Sequence, residues 1–168
     1  MTHMPTNDIG GLLQYLVDLF IHFSADFLAF IVIAAGVAAF SFYFGRGRII
    51  SLSASLYAAI PLYMVFPYTE FITTPLLHIV LYLGLAFLAL IAFSGLSGFI
   101  AEGSLGLVKM VILSAAVAGM LIAISIHVLP VESLYTFSAP TRALFESGEA
   151  YFFWLLAPLA AIYVFGRG

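Results

Sequence analysis

The sequence predicts an all-α fold: a polytopic integral membrane helical bundle of about five spans, preceded by an amphipathic interfacial helix. Composition is the first reason. Of the 168 residues, 64% are hydrophobic and only 8% are charged, and the mean hydropathy is +1.20. A water-soluble domain typically carries about 25% charged residues, so lipid must surround most of this surface. The second reason is that the uncharged runs are long, and backbone amides facing lipid must be hydrogen-bonded within their own helix.

The lengths of the apolar runs define the spans. A helix needs roughly 20 residues to cross about 30 Å of hydrocarbon. The runs that meet or approach this length are 27–44, 49–66, 75–99, 107–129 and 151–165. They are too long and too little alternating for the strands of a small β-barrel. We therefore assign residues 27–168 to a single transmembrane helical domain.

Two segments of this domain need separate comment. The run 151–165 is short and contains Pro158, so it either spans with little tilt or re-enters from one side. The polar segment 130–150 is long enough to hold a short interfacial helix, which Pro140 or Thr141 could open.

Residues 1–26 form the predicted amphipathic segment, in which apolar residues recur at helical spacing. Asp18, His22 and Asp26 fall every fourth residue on the opposite face. Two carboxylates and an imidazole along one stripe could bind a metal ion or carry protons. They could equally form the wet face of a helix lying on the membrane. We favour the wet face, because no fourth ligand stands at a specific spacing.

The few basic residues predict the orientation. If the first span runs outward to inward, Arg46, Arg48, Lys109 and Arg167 lie on the inner side, and only Arg142 lies outside. This agrees with the positive-inside bias of inner-membrane proteins. We therefore expect a multi-pass protein of the plasma membrane with its N-terminus outside and its C-terminus in the cytoplasm.

A short repeat fits this orientation. The tetrapeptide Phe-Gly-Arg-Gly occurs at 44–47 and again at 165–168, each time after an apolar run. An interfacial aromatic residue, a helix-breaking glycine and a cytoplasmic arginine suit the inner end of a span. On this interpretation Gly47 and Arg46 mark the same boundary as Arg167.

His78 and His127 are the other candidates for chemistry, since both are predicted near the outer interface. Histidines on neighbouring helices could ligate a b-type haem or join Glu70 or Glu132 in a proton relay. An interfacial histidine also needs no special function, and we expect no cofactor. No charged residue lies at the centre of a predicted span, which weakens the case for a pump or an ion-coupled transporter.

Small residues four apart indicate helix packing. Ala115, Gly119 and Ala123 form such a strip on the fourth span. Strips of this kind let helix backbones approach closely in lipid. The sequence leaves open whether the partner helix belongs to the same chain, to a second copy or to another membrane protein.

Several classes of function receive no support. The net charge of −3 and the lack of a basic tract make nucleic acid an unsuitable partner. The absence of cysteine excludes thiolate metal sites and disulfide exchange on this chain. No phosphate-binding loop or nucleophile motif is recognisable. We expect a protein that is not an enzyme.

The arrangement resembles the CvpA family, the colicin V production proteins, over roughly residues 25–130. The resemblance begins with Asp26 opening the first span and continues with Arg46 and Gly47, which lead into the Ser-containing "RIISLSASL". Later, "SLGLVKMVILSAAVAG" is similar to that family's glycine-rich, singly basic start of its final helix.

This resemblance implies a bacterial inner-membrane protein that acts in envelope maintenance, export or bacteriocin production, in a family without an established catalytic mechanism. We expect the chain to act by packing against the lipid bilayer and membrane partners. The alternatives are a haem- or metal-binding redox subunit and a small channel or transporter.

Overall fold

The computed structural model describes residues 7–45, 48–67, 72–94 and 106–165. Before Asp26, the side chains that it describes are those of Val17 and Ser24. These parts of the chain hold six α-helices, one 3₁₀ turn and no strand, which confirms the predicted all-α fold.

The helices follow the predicted runs closely. They are α1 (Asn7–Phe44), α2 (Arg48–Met64), α3 (Pro75–Ser94), α4 (Leu107–His127), α5 (Ala139–Phe145) and α6 (Gly148–Phe165), with the 3₁₀ turn at Val131–Ser133 between α4 and α5. Helix α5 is the short helix expected in the 130–150 segment, and Pro140 lies in its first turn. Helix α6 begins before the predicted run and continues through Pro158, which gives it 18 residues.

Helix α1 joins two segments that the sequence suggested were separate. The amphipathic segment and the first span form one continuous helix of 38 residues, without a break at Asp26. At 1.5 Å per residue this helix is about 57 Å long, well beyond the roughly 30 Å of bilayer hydrocarbon. It ends where Gly45 adopts a φ of +106°, a left-handed conformation that favours glycine.

Within the described parts of the chain, four helices have the length and apolar composition of membrane spans, namely Asp26–Phe44 within α1 and the whole of α3, α4 and α6. Helix α2 is shorter, with 17 residues and a length of about 25 Å. This is at the lower limit for a span, and α2 is also the helix that carries three buried serines.

Side-chain contacts show that neighbouring helices run antiparallel. Tyr63 of α2 contacts His78 of α3, whereas Leu56, farther back in α2, accepts a hydrogen bond from Tyr82, farther along α3. The same reversal relates α4 to α6, since the ring of His127 packs on Tyr151 and Lys109 lies over Phe165. Phe30 and Ile33 of α1 pack near the end of α4. Asp26, which precedes them, bonds to residues beyond that end, so α1 runs back along α4 and this pair is antiparallel too.

Helix α4 is the centre of the bundle. More than half of it is buried, 56%, whereas the other three membrane-length segments are buried over 6% to 17% of their residues. It packs against α6 and α1, while α3 lies outermost against α2. The remaining apolar surface is uncovered, as expected for helices whose solvent is lipid.

The alternating directions of the helices give the bundle two chemically different ends. Arg48 and Lys109 lie at one end, here called the basic end. Asp26, Glu132, Arg142, Glu146 and Glu149 lie at or near the other, the acidic end. Arg142 Nη2 and Glu132 Oε1 are 3.8 Å apart, and the two side chains are 37% and 53% exposed, so this ion pair contributes little to stability.

Candidate functional site

The most elaborate polar structure among the described residues surrounds Asp26 at the acidic end. Only 5% of the Asp26 side chain is exposed. The Tyr135 hydroxyl donates to one carboxylate oxygen. The other oxygen accepts from the Ser138 backbone N–H at 2.9 Å and from the Ser138 hydroxyl at 2.6 Å. These bonds fasten the segment between α4 and α5 to α1.

Local backbone geometry makes Ser138 a suitable partner for Asp26. Ser138 has an extended conformation, with φ −65° and ψ 156°, immediately before α5. Its N–H therefore points outside the helical ladder and is free to donate. The Ser138 hydroxyl also lies 3.0 Å from the Thr141 hydroxyl, which extends the network into the first turn of α5.

The physical role of the network is to satisfy a buried carboxylate. An ionised carboxylate away from water is very costly unless charge-assisted hydrogen bonds replace its hydration. Tyr135 lies outside the spans, and the same contact changes the pKa of its phenol. Its hydrogen bond to Asp26 is the main cause that raises the phenol pKa above the ordinary value, with burial and the carboxylate charge adding to it.

An apolar cavity of about 210 Å³ lies beside this network, between α1, α4, α5 and α6. Its apolar wall consists of Phe27, Phe30, Ile122, Leu144, Phe145 and Trp154. Asp26 and Thr141 complete the wall. A concave apolar site beside a few polar groups is the usual form of a small-molecule site.

Trp154, the single tryptophan of the chain, is fixed in the cavity wall by three contacts. Its ring packs directly on Gly119, where an added Cβ would overlap the six-membered ring. It also stacks on Phe145 with ring centroids 4.8 Å apart. Its indole N–H donates to the Leu144 carbonyl at 3.1 Å. Phe152 and Phe153, by contrast, are more than half exposed and have the positions of an aromatic belt.

The small-residue strip on α4 is thus a packing face within the chain. Gly119 admits Trp154 of α6, and Ala123 is fully buried in the cluster that includes Phe145. Ala115, the third member, is half-buried.

The two candidate histidines lie in different surroundings. His78 Nδ1 is 2.9 Å from the Tyr63 hydroxyl, between α2 and α3. His127 Nε2 is 2.8 Å from the Phe145 carbonyl, so this nitrogen carries the proton and donates. Axial ligation of haem through His127 Nε2 would require this bond to break.

The candidate metal stripe is described only in part. Asp18 and His22 lie on α1, but their side chains are outside the described residues. The Asp26 carboxylate is directed to Tyr135 and Ser138. Among the described residues, no group of three His, Asp or Glu side chains could hold a metal ion.

The structure describes only some of the residues from which the orientation was predicted. Arg46, Gly47 and Arg167 lie outside the described residues. Arg48 is the first residue of α2. The Lys109 ammonium lies 6.0 Å from the centroid of the Phe165 ring, within the range of a cation–π contact.

Sequence reasoning missed the partners of Asp26. Tyr135 and Ser138 are 109 and 112 residues away along the chain. The available clue was the location of Asp26 at the head of an apolar run, where an acidic side chain needs partners. Which side chains supply them depends on how α1 and the α4–α5 segment meet.

Comparisons with known proteins give no family for the chain. No protein-family model matches it, and neither the curated proteins nor the solved structures contain a match.

Proposed function

We propose that this chain is a CvpA-like inner-membrane protein that has no catalytic activity and acts in envelope maintenance or export by packing against membrane partners. The observation that carries the proposal is the large outward surface of α1 and α3. Both are long enough to span a membrane, yet only 11% of Asp26–Phe44 in α1 and 17% of α3 are buried by the rest of the chain. Helix α6 is buried still less, 6%, but it has no glycine beyond its first residue.

These two outward surfaces also allow close approach of another helix. Gly36 on α1 and Gly84 on α3 are exposed, and an added Cβ at either would meet nothing within 4 Å. Glycine on an exposed helix face lets a second backbone approach closely, where dispersion and weak hydrogen bonds replace the hydrophobic drive. The partner is either a second copy or another membrane protein.

Photocrosslinking in the membrane tests this proposal. A benzophenone amino acid at Leu83, beside Gly84, should give protein adducts in native membranes. Leu159 on α6 is the control, because it is similarly exposed but its helix has no glycine beyond its first residue. Adducts with lipid alone at Leu83, or equal protein adducts at both positions, would contradict the proposal.

Deletion of the gene in its host tests the envelope role. Loss of the protein should increase uptake of a dye that the intact envelope excludes. The wild-type gene should restore exclusion, and Gly84→Leu should restore it less well because the added side chain blocks close approach. Normal dye exclusion after deletion would contradict an envelope role.

The proposal includes no bound cofactor and no conducting path. An absorption spectrum of the purified protein should lack a Soret band, and liposomes containing it should show no ion flux. A stoichiometric Soret band would instead favour the redox subunit with His78 and His127, and a flux would favour a channel.

A further inference from the structure

We propose that the cavity beside Asp26 binds one acyl chain of an anionic phospholipid, with the lipid phosphate at Arg142. The assignment is independent of the proposed partner-binding function, because it concerns a lipid held between four helices of the same chain. It commits to one occupant on three grounds: the chemistry of the wall, the size and opening of the cavity, and the adjacent cation.

The wall offers a ligand mainly hydrocarbon contact. Each polar side-chain atom in the wall already has a partner in the protein. Both Asp26 oxygens accept from Tyr135 or Ser138, the Thr141 hydroxyl pairs with Ser138, and the Trp154 N–H donates to Leu144. A polar ligand would find few free hydrogen-bonding sites there, and each of its groups left unpaired would be costly. An acyl chain has no polar group that could be left unsatisfied.

The cavity is large enough for a segment of such a chain. An apolar cavity of roughly 150 Å³ in another protein binds benzene, and this one measures about 210 Å³. The exposed residues at its edge are apolar, as suits a cavity that opens to lipid. Phe27 and Leu144 in the wall are 55% and 57% exposed, and Leu28 beside Phe27 is 61% exposed. An acyl chain can therefore enter sideways from the bilayer.

Arg142 supplies the complementary charge. It follows Thr141, which lines the cavity, on α5, although Arg142 itself is not one of the lining residues. It is the one Lys or Arg that the described residues place at the acidic end. Its Nε is buried without a hydrogen-bond partner among the described residues, and its nearest carboxylate oxygen, on Glu132, is 3.8 Å from Nη2. A guanidinium with spare donors is the side chain best suited to phosphate.

The single tryptophan in the wall makes the proposal directly measurable. Phosphatidylglycerol dibrominated in the upper half of one acyl chain is titrated into the wild-type protein in detergent. Bromine quenches indole emission on contact, so a chain in the cavity should remove roughly half of the Trp154 emission or more, with saturation at one lipid per protein. Quenching that rises linearly without saturation would show only random lipid contact and would overturn the proposal.

Two variants test the cavity and the cation separately. Ile122→Phe fills the cavity and should abolish the saturable quenching, whereas Ile112→Phe, at an exposed position of the same helix, should leave it intact. Arg142→Gln should raise the lipid concentration at half-saturation about tenfold. Lys109→Gln, at the basic end, should leave this concentration unchanged.

Brominated phosphatidylcholine in place of phosphatidylglycerol distinguishes the head group. It should bind about tenfold more weakly to the wild-type protein. Equal binding of the two lipids, or equal quenching in Ile122→Phe and the wild-type protein, would overturn the assignment. If Ile122→Phe fails to fold, the wild-type titration with the two lipids still decides the matter.

Discussion

At the residue scale, Asp26 is the described side chain with the most elaborate set of hydrogen bonds. Its carboxylate replaces lost hydration with hydrogen bonds from Tyr135 and Ser138, and the bonds join α1 to the segment before α5. A side chain that appeared to be one member of a polar stripe on α1 is therefore a tertiary contact. This changes what its substitution should do.

Asp26→Asn should destabilise the protein by about 1.5–3 kcal/mol, the range for a hydrogen bond to a charged group. The asparagine amide keeps one acceptor but directs N–H groups at donors such as the Ser138 N–H. Thermal unfolding in detergent measures the loss, and limited proteolysis between α4 and α5 should show faster cleavage. Glu149→Gln, at an exposed carboxylate of the same end, should change neither; an equal loss in both variants would contradict this role of Asp26.

The raised pKa of Tyr135 predicts that its contact with Asp26 depends on pH. Its pKa in the folded protein is raised above the unfolded value of about 10. A raised pKa means that the stabilisation is fully present below about pH 10 and is lost as the pH rises through the folded value. The stability difference between the wild-type protein and Tyr135→Phe should thus be constant from neutral pH to about pH 9 and should shrink at higher pH. A difference that already shrinks near neutrality would contradict the assignment.

Gly119 is the residue at which packing is least tolerant. Gly119→Ala places a methyl group in the volume of the Trp154 ring and should cost about 1–3 kcal/mol through overpacking, and Gly119→Leu should cost more. Gly84→Ala is the matched control, because its Cβ would meet nothing within 4 Å. The midpoint of thermal unfolding in detergent measures the stability of the Gly119 variants and of the control. A Gly119→Ala variant as stable as Gly84→Ala would show that Trp154 packs elsewhere.

At the scale of the elements, the two helices with internal prolines are held by tyrosine hydroxyls. Pro61 in α2 and Pro158 in α6 each remove a backbone donor and weaken the helix around them. The Tyr82 hydroxyl of α3 donates to the Leu56 carbonyl of α2, at 2.9 Å. The Tyr57 hydroxyl of α2 donates in turn to the Leu155 carbonyl of α6. These bonds connect α3, α2 and α6 in series.

Tyr57→Phe should therefore loosen the contact of α2 with α6. Side-chain hydrogen bonds between membrane helices contribute about 0.6 kcal/mol on average and up to about 1.7 kcal/mol. Hydrogen exchange of the α6 amides around Pro158 should become faster in the variant, because the carbonyl loses its anchor. Tyr43→Phe, at a side chain that is 86% exposed, should leave the exchange unchanged. Unchanged exchange in Tyr57→Phe would show that the bond contributes nothing.

At the scale of the whole molecule, the alternating helices separate the charges into a basic end and an acidic end. The basic end should face the cytoplasm, since Lys and Arg are retained there during insertion.

The absence of cysteine from the chain allows single cysteines to be used as topology markers. Cysteines at Gly47 and Gly168 should react with an impermeant thiol reagent only after the membrane is opened. A cysteine at Ser147, before α6, should react in intact cells, and the reverse pattern would refute the orientation.

The sequence predicted the elements because their causes are local. Apolar length predicted α3, α4 and the second half of α1, and Pro140 indicated the start of α5. Some boundaries differ from those predicted. Nothing in the residues around Asp26 required a break, and α1 runs through them without one. Helix α2 ends at Met64, short of the predicted span, although the apolar run continues to Phe66.

The site depended instead on contacts between distant parts of the chain. Asp26 meets Tyr135 and Ser138 across more than one hundred residues, and Gly119 meets Trp154 only because α4 and α6 run antiparallel. The sequence by itself determined that this chain folds as helices in lipid, because composition and run length are properties of each segment alone. Only the tertiary structure decided which carboxylate is buried, which glycine admits the tryptophan and where a cavity opens. These depend on which faces of the helices meet, and in lipid that choice is made by close packing and hydrogen bonding rather than by a pattern within any one helix.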